Sequence, residues 1–352
     1  MRGSAVNLRQ ELTLSEIEGL IQEQADHISQ TQLLSGAIPW YNNGIADPWD
    51  HVECAIALDA SGRFEEAEKA YRWLRDSQNP DGSWWSSYVN DRPENLTRDT
   101  NYSSYPAVGL WYHYLFTGAV DFIAEMWSTV EKGIRFALEL QQPTGEIYWA
   151  RDTRGVVYPL ALMAASSCIF QSLRCGIRMA KLLGLRRPEW IASSRRLARA
   201  ISERPELFHN SVDSQYDYAM SWYYPVLTGI VRRQKARDRI FGKWSDFVLD
   251  GWGCKCVAEE PWWITVAETC ELILTLTRIG EHDRAGLLLN WVLELKDDDG
   301  RFWTGMKMPE EEVWPPEEKP SWVSAAMIIT LKDQTETRKP GGDRRGVFSR
   351  FL

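Results

Sequence analysis

The sequence predicts an all-α protein, an (α/α)6 barrel in which six helical hairpins close into a toroid. Three observations carry that expectation. Apolar residues recur at helical spacing along nearly the whole chain, with almost no alternating strand pattern. The helices are joined by short and long links in alternation. They also fall into two classes: amphipathic ones, such as "RFEEAEKAYRWLRDSQ" (63–78), and ones apolar almost all round, such as "HVECAIAL" (51–58).

Taken in order, the spacing gives twelve helices. Short links fall near 60–63, 116–120, 183–189, 232–238 and 279–283, and long links near 36–47, 79–100, 142–156, 205–214, 250–260 and 297–319. In a run of antiparallel helices, alternate connections lie at opposite ends, so all six long links are expected on one face. The helices that leave them (51–58, 160–170, 264–276, 322–331) are apolar and rich in small residues, which suits an interior. Helices that enter them carry a charged face and belong outside. Residues 1–333 thus read as one toroid domain. Residues 334–352, "QTETRKPGGDRRGVFSRFL", read as a disordered basic tail whose partner would be a weakly contacted membrane surface.

One phrase recurs where outer helices end: "QTQLLSGAIPWY" (30–41), "SQNPDGSWW" (77–85), "LQQPTGEIYWARD" (140–152) and "LKDDDGRFWTG" (295–305). Gly36, Gly82, Gly145 and Gly300 fit the left-handed position just past a helix end, and Trp40, Trp84, Trp149 and Trp303 would fold back over the rim.

Composition narrows the function. The chain has 352 residues, 44% of them hydrophobic, 25% charged, with a net charge of -9, which argues against nucleic acid as partner. No apolar run reaches the roughly 20 residues of a membrane span, and "MRGSAVNLRQELTLSE" has no signal-peptide core, so a cytoplasmic protein without stable membrane insertion is expected. The six cysteines lie mostly in apolar helical stretches and read as buried thiols; the five histidines offer no metal set, and no metal or cofactor is expected. The 18 tryptophans stand out, because such rings serve as sugar platforms as well as core.

"QNPDGSW" (Gln78 to Trp84) resembles the Q-x3-G-x-W repeat of squalene-hopene cyclases and prenyltransferase-fold proteins. There the repeat ties outer helices together, so the resemblance implies fold. Residues 109–141, continuing into "PTGEIYWARD", resemble the second and third hairpins of glucoamylase-like six-hairpin glycosidases. "PEEEVWPPEEKPSWVSAAMIIT" resembles the stretch where that family places its general base. The resemblance implies Glu146 as general acid, which Tyr148 and Trp149 would desolvate, and Glu317 as base.

Acids and indoles concentrate in the long links. Candidate substrate contacts are Trp40, Trp49, Asp50, Asp99, Trp149, Arg151, Asp152, Tyr223, Trp262 and Trp263, with Asp213, Asp217, Glu259 and Glu260 nearby in sequence. In "DPWDHVECAIAL", Asp47 caps a helix that Pro48 opens, and Asp50 and Glu53 share one face at the mouth of an apolar helix. Glu268, two turns into another apolar helix, needs a buried partner or a function. The reading is an inverting hydrolase of a glucoside or related saccharide using two carboxylates. An isoprenoid-handling protein of the cyclase or prenyltransferase class is the alternative, and a non-catalytic glycan- or lipid-binding toroid the third. A carboxylate-lined crater favours sugar; a deep apolar chamber favours a polyprenyl chain.

Overall fold

The computed structural model describes residues 12–209, 212 and 216–338. Among them are fourteen α-helices: α1 (Leu14–Thr31), α2 (Pro48–Ala60), α3 (Phe64–Ser77), α4 (Thr100–Ser104), α5 (Pro106–Thr117), α6 (Val120–Glu139) and α7 (Met163–Leu182). They continue as α8 (Pro188–Glu203), α9 (Ala219–Leu227), α10 (Gln234–Gly242), α11 (Trp244–Phe247), α12 (Val266–Arg278), α13 (His282–Val292) and α14 (Ser321–Arg338).

The inner ring runs α2, α5, α7, α9, α12, α14 and back to α2, each packed on the next. Outside it, α1 lies on α14, α3 on α2, α6 on α5, α8 on α7, α10 on α9 and α13 on α12. This is the (α/α)6 toroid, with the predicted short and long links between the same helices. Two helices more than twelve are present because α4 and α5 part at Pro106, and α10 and α11 at Lys243. Helix α14 continues to Arg338, five residues into the segment expected to be a tail, with Gln334 and Thr335 buried; residues 339–352 lie outside the described ones. No described helix is long and apolar enough to cross a membrane. All six cysteines are buried free thiols.

The expectation of almost no strands is corrected. The long links hold short antiparallel strands in three three-stranded sheets and one two-stranded sheet. Strands of two to four residues are too short to leave an alternating signature. Strands and isolated bridges join each link to the next: Ile45 pairs with Val89, Arg98 with Arg151, Leu162 with His209 (a parallel bridge), Tyr218 with Val257, and Trp262 with Met308. Ser321 N closes the circle by donating to Trp40 O (2.7 Å). All six long links therefore share one face.

The recurrent phrase is the device that turns each corner. Gln78 Nε2 donates to Gly82 O (3.0 Å) and to Thr129 O of the neighbouring outer helix α6 (2.9 Å). Gln32 does the same for Gly36 and Glu66 of α3, and Gln141 for Gly145 and Ser193 of α8. The fourth copy has Lys296 in place of glutamine, and Gln24 of α1 reaches across to Gly300 O instead (2.9 Å). Gly82 takes φ +92°, and a Cβ there would stand 2.3 Å from Lys132 O, so glycine is required twice over. Two residues past each glycine, Ile38, Trp84, Ile147 and Phe302 are all buried; Trp84 is thus wall filling, not rim.

Candidate functional site

Each inner helix begins at the long-link face, so position along it measures depth into the barrel. On α2, Asp47 Oδ1 accepts from Trp49 N (2.9 Å) and Asp50 N (3.0 Å), the predicted cap with Pro48 at the first turn. Trp40 Nε1 donates to Asp47 Oδ2 (2.8 Å), tying the first long link to that cap. Asp50, Glu53 and Ile56 then follow at three-residue intervals down one face. On α12 the series is Glu268, Glu271 and Leu274, on α9 Met220, Tyr224 and Leu227, and on α14 Trp322, Ala326 and Ile329. All line one cavity of about 350 Å3. Its upper layers carry four carboxyls and the indoles of Trp40, Trp49, Trp263 and Trp322; its floor is mainly aliphatic, with Gln171 and Tyr112 as polar groups at that depth. The two halves follow from helical rise, about 1.5 Å per residue, which sets Ile56 and Leu274 roughly 9 Å below Asp50 and Glu268.

The lower pair of acids is held in the wall. The Tyr105 hydroxyl donates to Glu53 Oε1, with the Trp49 indole as a second partner, and the hydroxyls of Tyr223 and Tyr224 donate to the two oxygens of Glu271. Burial raises the Glu53 carboxyl, and pushes Glu271 up to about 8 against the pull of its tyrosines. The upper pair differs. Glu268, expected two turns into its helix, lies in the first turn of α12 because the preceding residues Trp262–Thr265 form a strand, and it accepts from the Thr265 hydroxyl. Asp50 is held well above the ordinary carboxylate range by burial first, then by the proximity of Asp47, Glu53 and Glu271. Carboxyls from α2 and α12 that crowd around Asp50 and favour its proton, with Glu268 at the head of α12, form an arrangement suited to acid–base chemistry on a bound molecule.

Such burial has a consequence for stability. Glu271 binds its proton more tightly when folded, about 8 against 4.5 for an ordinary glutamate, so folded protein carries the extra proton between those values. Stability must therefore fall as pH rises through that window. Asp99 (about 7) and Asp59 (about 6) act in the same direction. Glu271→Gln is expected to flatten the decline of Tm between these limits, measured by calorimetry across pH; an unchanged slope would rule out Glu271 as its source.

Of the candidate substrate contacts, Trp40, Trp49, Asp50 and Trp263 line the cavity. Tyr223 stands behind it, fully buried, and acts on it through Glu271. The others do not line it. Asp99 is buried, capping α4 through Asn101 N (2.6 Å) and Tyr102 N (3.1 Å) and paired with the Trp149 indole. Trp149 packs on Tyr158, Arg151 lies over Phe136, Asp152 binds Arg154 within its own turn, and Trp262 sits under Lys255. Asp213 lies outside the described residues.

The two proposed catalytic glutamates are also elsewhere. Glu146 occupies the position after the corner glycine, equivalent to Ala37, Ser83 and Arg301; in all four, the carbonyl accepts from the residue four before it. Its register is fixed by the turn, and its side chain is buried there rather than in the cavity. Glu317 sits at φ +61° in an exposed turn before α14, outside the cavity. Glu53 and Glu268 were visible as acids on apolar helix faces. Glu271, Tyr105 and Tyr224 were not singled out, although E-x-x-E at 268–271 repeats the D-x-x-E of 50–53.

No protein-family profile matches the chain. It is 41% identical over 326 residues, 93% of this chain and 89% of the relative, to the MMP endo-(1,4)-3-O-methyl-alpha-D-mannosidase of Mycolicibacterium hassiacum. Among solved structures, a glycosidase in complex with glucose shares the fold with TM-score 0.70 at 15% identity, covering 92% of this chain and 98% of that one. The GH63 mannosylglycerate hydrolase of Thermus thermophilus does so with TM-score 0.68 at 12% identity, covering 89% and 99%.

Proposed function

The chain belongs to the glycoside hydrolase family of that Mycolicibacterium mannosidase, and we propose that it is an inverting, chain-cleaving hydrolase of α-(1,4)-linked 3-O-methylmannosides. Asp50 is the general acid and Glu268 the general base. The observation that carries the assignment is the layering of the cavity, with carboxyls from α2 and α12 above and mainly aliphatic side chains below.

Hydrolysis needs a proton donor at the glycosidic oxygen and a base for water on the other side of the ring. Asp50 suits the first role because its surroundings favour the protonated form. Glu53 and Glu271 are occupied by tyrosine hydroxyls, which leaves Glu268 as the upper-layer carboxyl on a second wall. Helices α2 and α12 are second neighbours in the ring, with α14 between them. At about 9 Å between adjacent axes, second neighbours stand roughly 16 Å apart, room for two inward side chains with a water between them. The anomer of the first product tests the inverting course.

The substrate follows from the relative and from the floor. Ile56, Leu274 and Ile329 would pack on an O-methyl group, while Gln171 and Tyr112 beside them can bond the neighbouring hydroxyls. A methylated mannoside therefore fits better than the glucoside expected from sequence, and the carboxyl layers above are foreign to an isoprenoid chamber. Incubation with an α-(1,4)-linked 3-O-methylmannose oligosaccharide is expected to release shorter chains whose new reducing ends are first β by proton NMR. First-formed α ends would exclude inversion; cleavage of glucosides alone would exclude the substrate.

A further inference from the structure

The exposed aromatic side chains among the described residues are Tyr41, Phe64, Tyr158, Tyr216 and Trp314, and all but Phe64 lie in the long links on the face where the cavity opens. Two of them are tied through the backbone to residues of the cavity wall. Tyr41 follows the cavity-lining Trp40, and Trp314 O accepts from Nε1 of the cavity-lining Trp263 (3.0 Å). Their links adjoin through Ser321, whose N and Oγ donate to Trp40 O and Pro39 O. Between them, Trp322 meets Trp40 edge-on at 6.1 Å.

Both outer rings are built to stay put. A Cβ on Gly44 would stand 2.7 Å from the Tyr41 ring, so that ring lies against bare backbone while remaining 45% exposed. Lys307 Nζ sits 3.2 Å over the Trp314 ring, which is 39% exposed, and the strand Glu312–Val313 that precedes it pairs with Gly305–Met308. A fixed, half-exposed ring on the backbone that carries a wall of the carboxyl-lined cavity matches the apolar face of a sugar rather than a protein partner.

We propose that Tyr41 and Trp314 form an outer saccharide subsite, holding units of the chain that extend beyond the cavity, and thereby set a preference for long substrates. The proposal rests on the methylmannoside reading for the identity of the chain. In the test, Tyr41→Ala and Trp314→Ala are compared with wild type on α-(1,4)-linked 3-O-methylmannose chains of about ten units and of two. The expected result is a rise of about tenfold in KM for the long chain only, with kcat kept on both. An equal change on both lengths, or none on the long chain, overturns it. If wild type cleaves neither, the substrate reading has failed, and calorimetric titration of the long chain decides the subsite separately: binding weakened about tenfold in Trp314→Ala supports it, whereas equal or absent binding overturns it.

Discussion

Asp50→Asn is expected to lower kcat on unactivated oligosaccharide about 10^2- to 10^4-fold, the range for loss of a positioned proton donor, while leaving the fold intact. Asparagine keeps the shape of the protonated carboxyl and cannot ionise beside Asp47, Glu53 and Glu271, the groups that hold Asp50 above its ordinary range. Tm should therefore not fall, and at alkaline pH it should rise, since folded wild type must either retain a proton or crowd its charges. A general acid has a second signature. An aryl glycoside with an activated leaving group needs little protonation, so its turnover should suffer far less than that of a natural linkage. The alkaline limb of the kcat/KM profile should also disappear. Turnover within tenfold of wild type on the natural linkage would remove Asp50 from the mechanism. Glu146→Gln and Glu317→Gln, which lie outside the cavity, serve as controls and should keep rates within a few-fold of wild type.

The toroid was legible because its signals are local. Helical periodicity, link length and the glycine at each corner are read within a few residues, and all of them act in the structure as they read in the sequence. The site was legible only where local chemistry marked it. Asp47, Pro48 and Asp50 form a cap, a helix start and an acid in four residues, and their neighbourhood needed no long-range information. Glu146 shows the opposite case. An acid beside two aromatics looks catalytic, but its direction is set by Gln141 reaching α8, 52 positions further along the chain. Glu271 was hidden for a related reason: the tyrosines that receive it are 48 and 47 positions away on α9. The repeated spacing of acids on α2 and α12 was nevertheless present in the sequence. Two apolar inner helices each carrying acids at the first and second turns is an expensive pattern unless both face one polar site.

Glu268→Gln is the complementary experiment. Turnover is expected to fall by a similar 10^2- to 10^4-fold, but without relief from an activated leaving group, because water attack still lacks its base. The stability change should also differ in sign from that of Asp50→Asn. Glu268 lies in the first turn of α12 and accepts from the Thr265 hydroxyl; the amide keeps an acceptor but loses the charge that complements the helix N-terminus, a loss of about 0.3–1 kcal/mol. A modest drop in Tm with leaving-group-independent inactivation would identify the base. If Glu268→Gln instead regained activity on activated glycosides, it would be acting as the acid, and the roles of the α2 and α12 carboxyls would have to be exchanged.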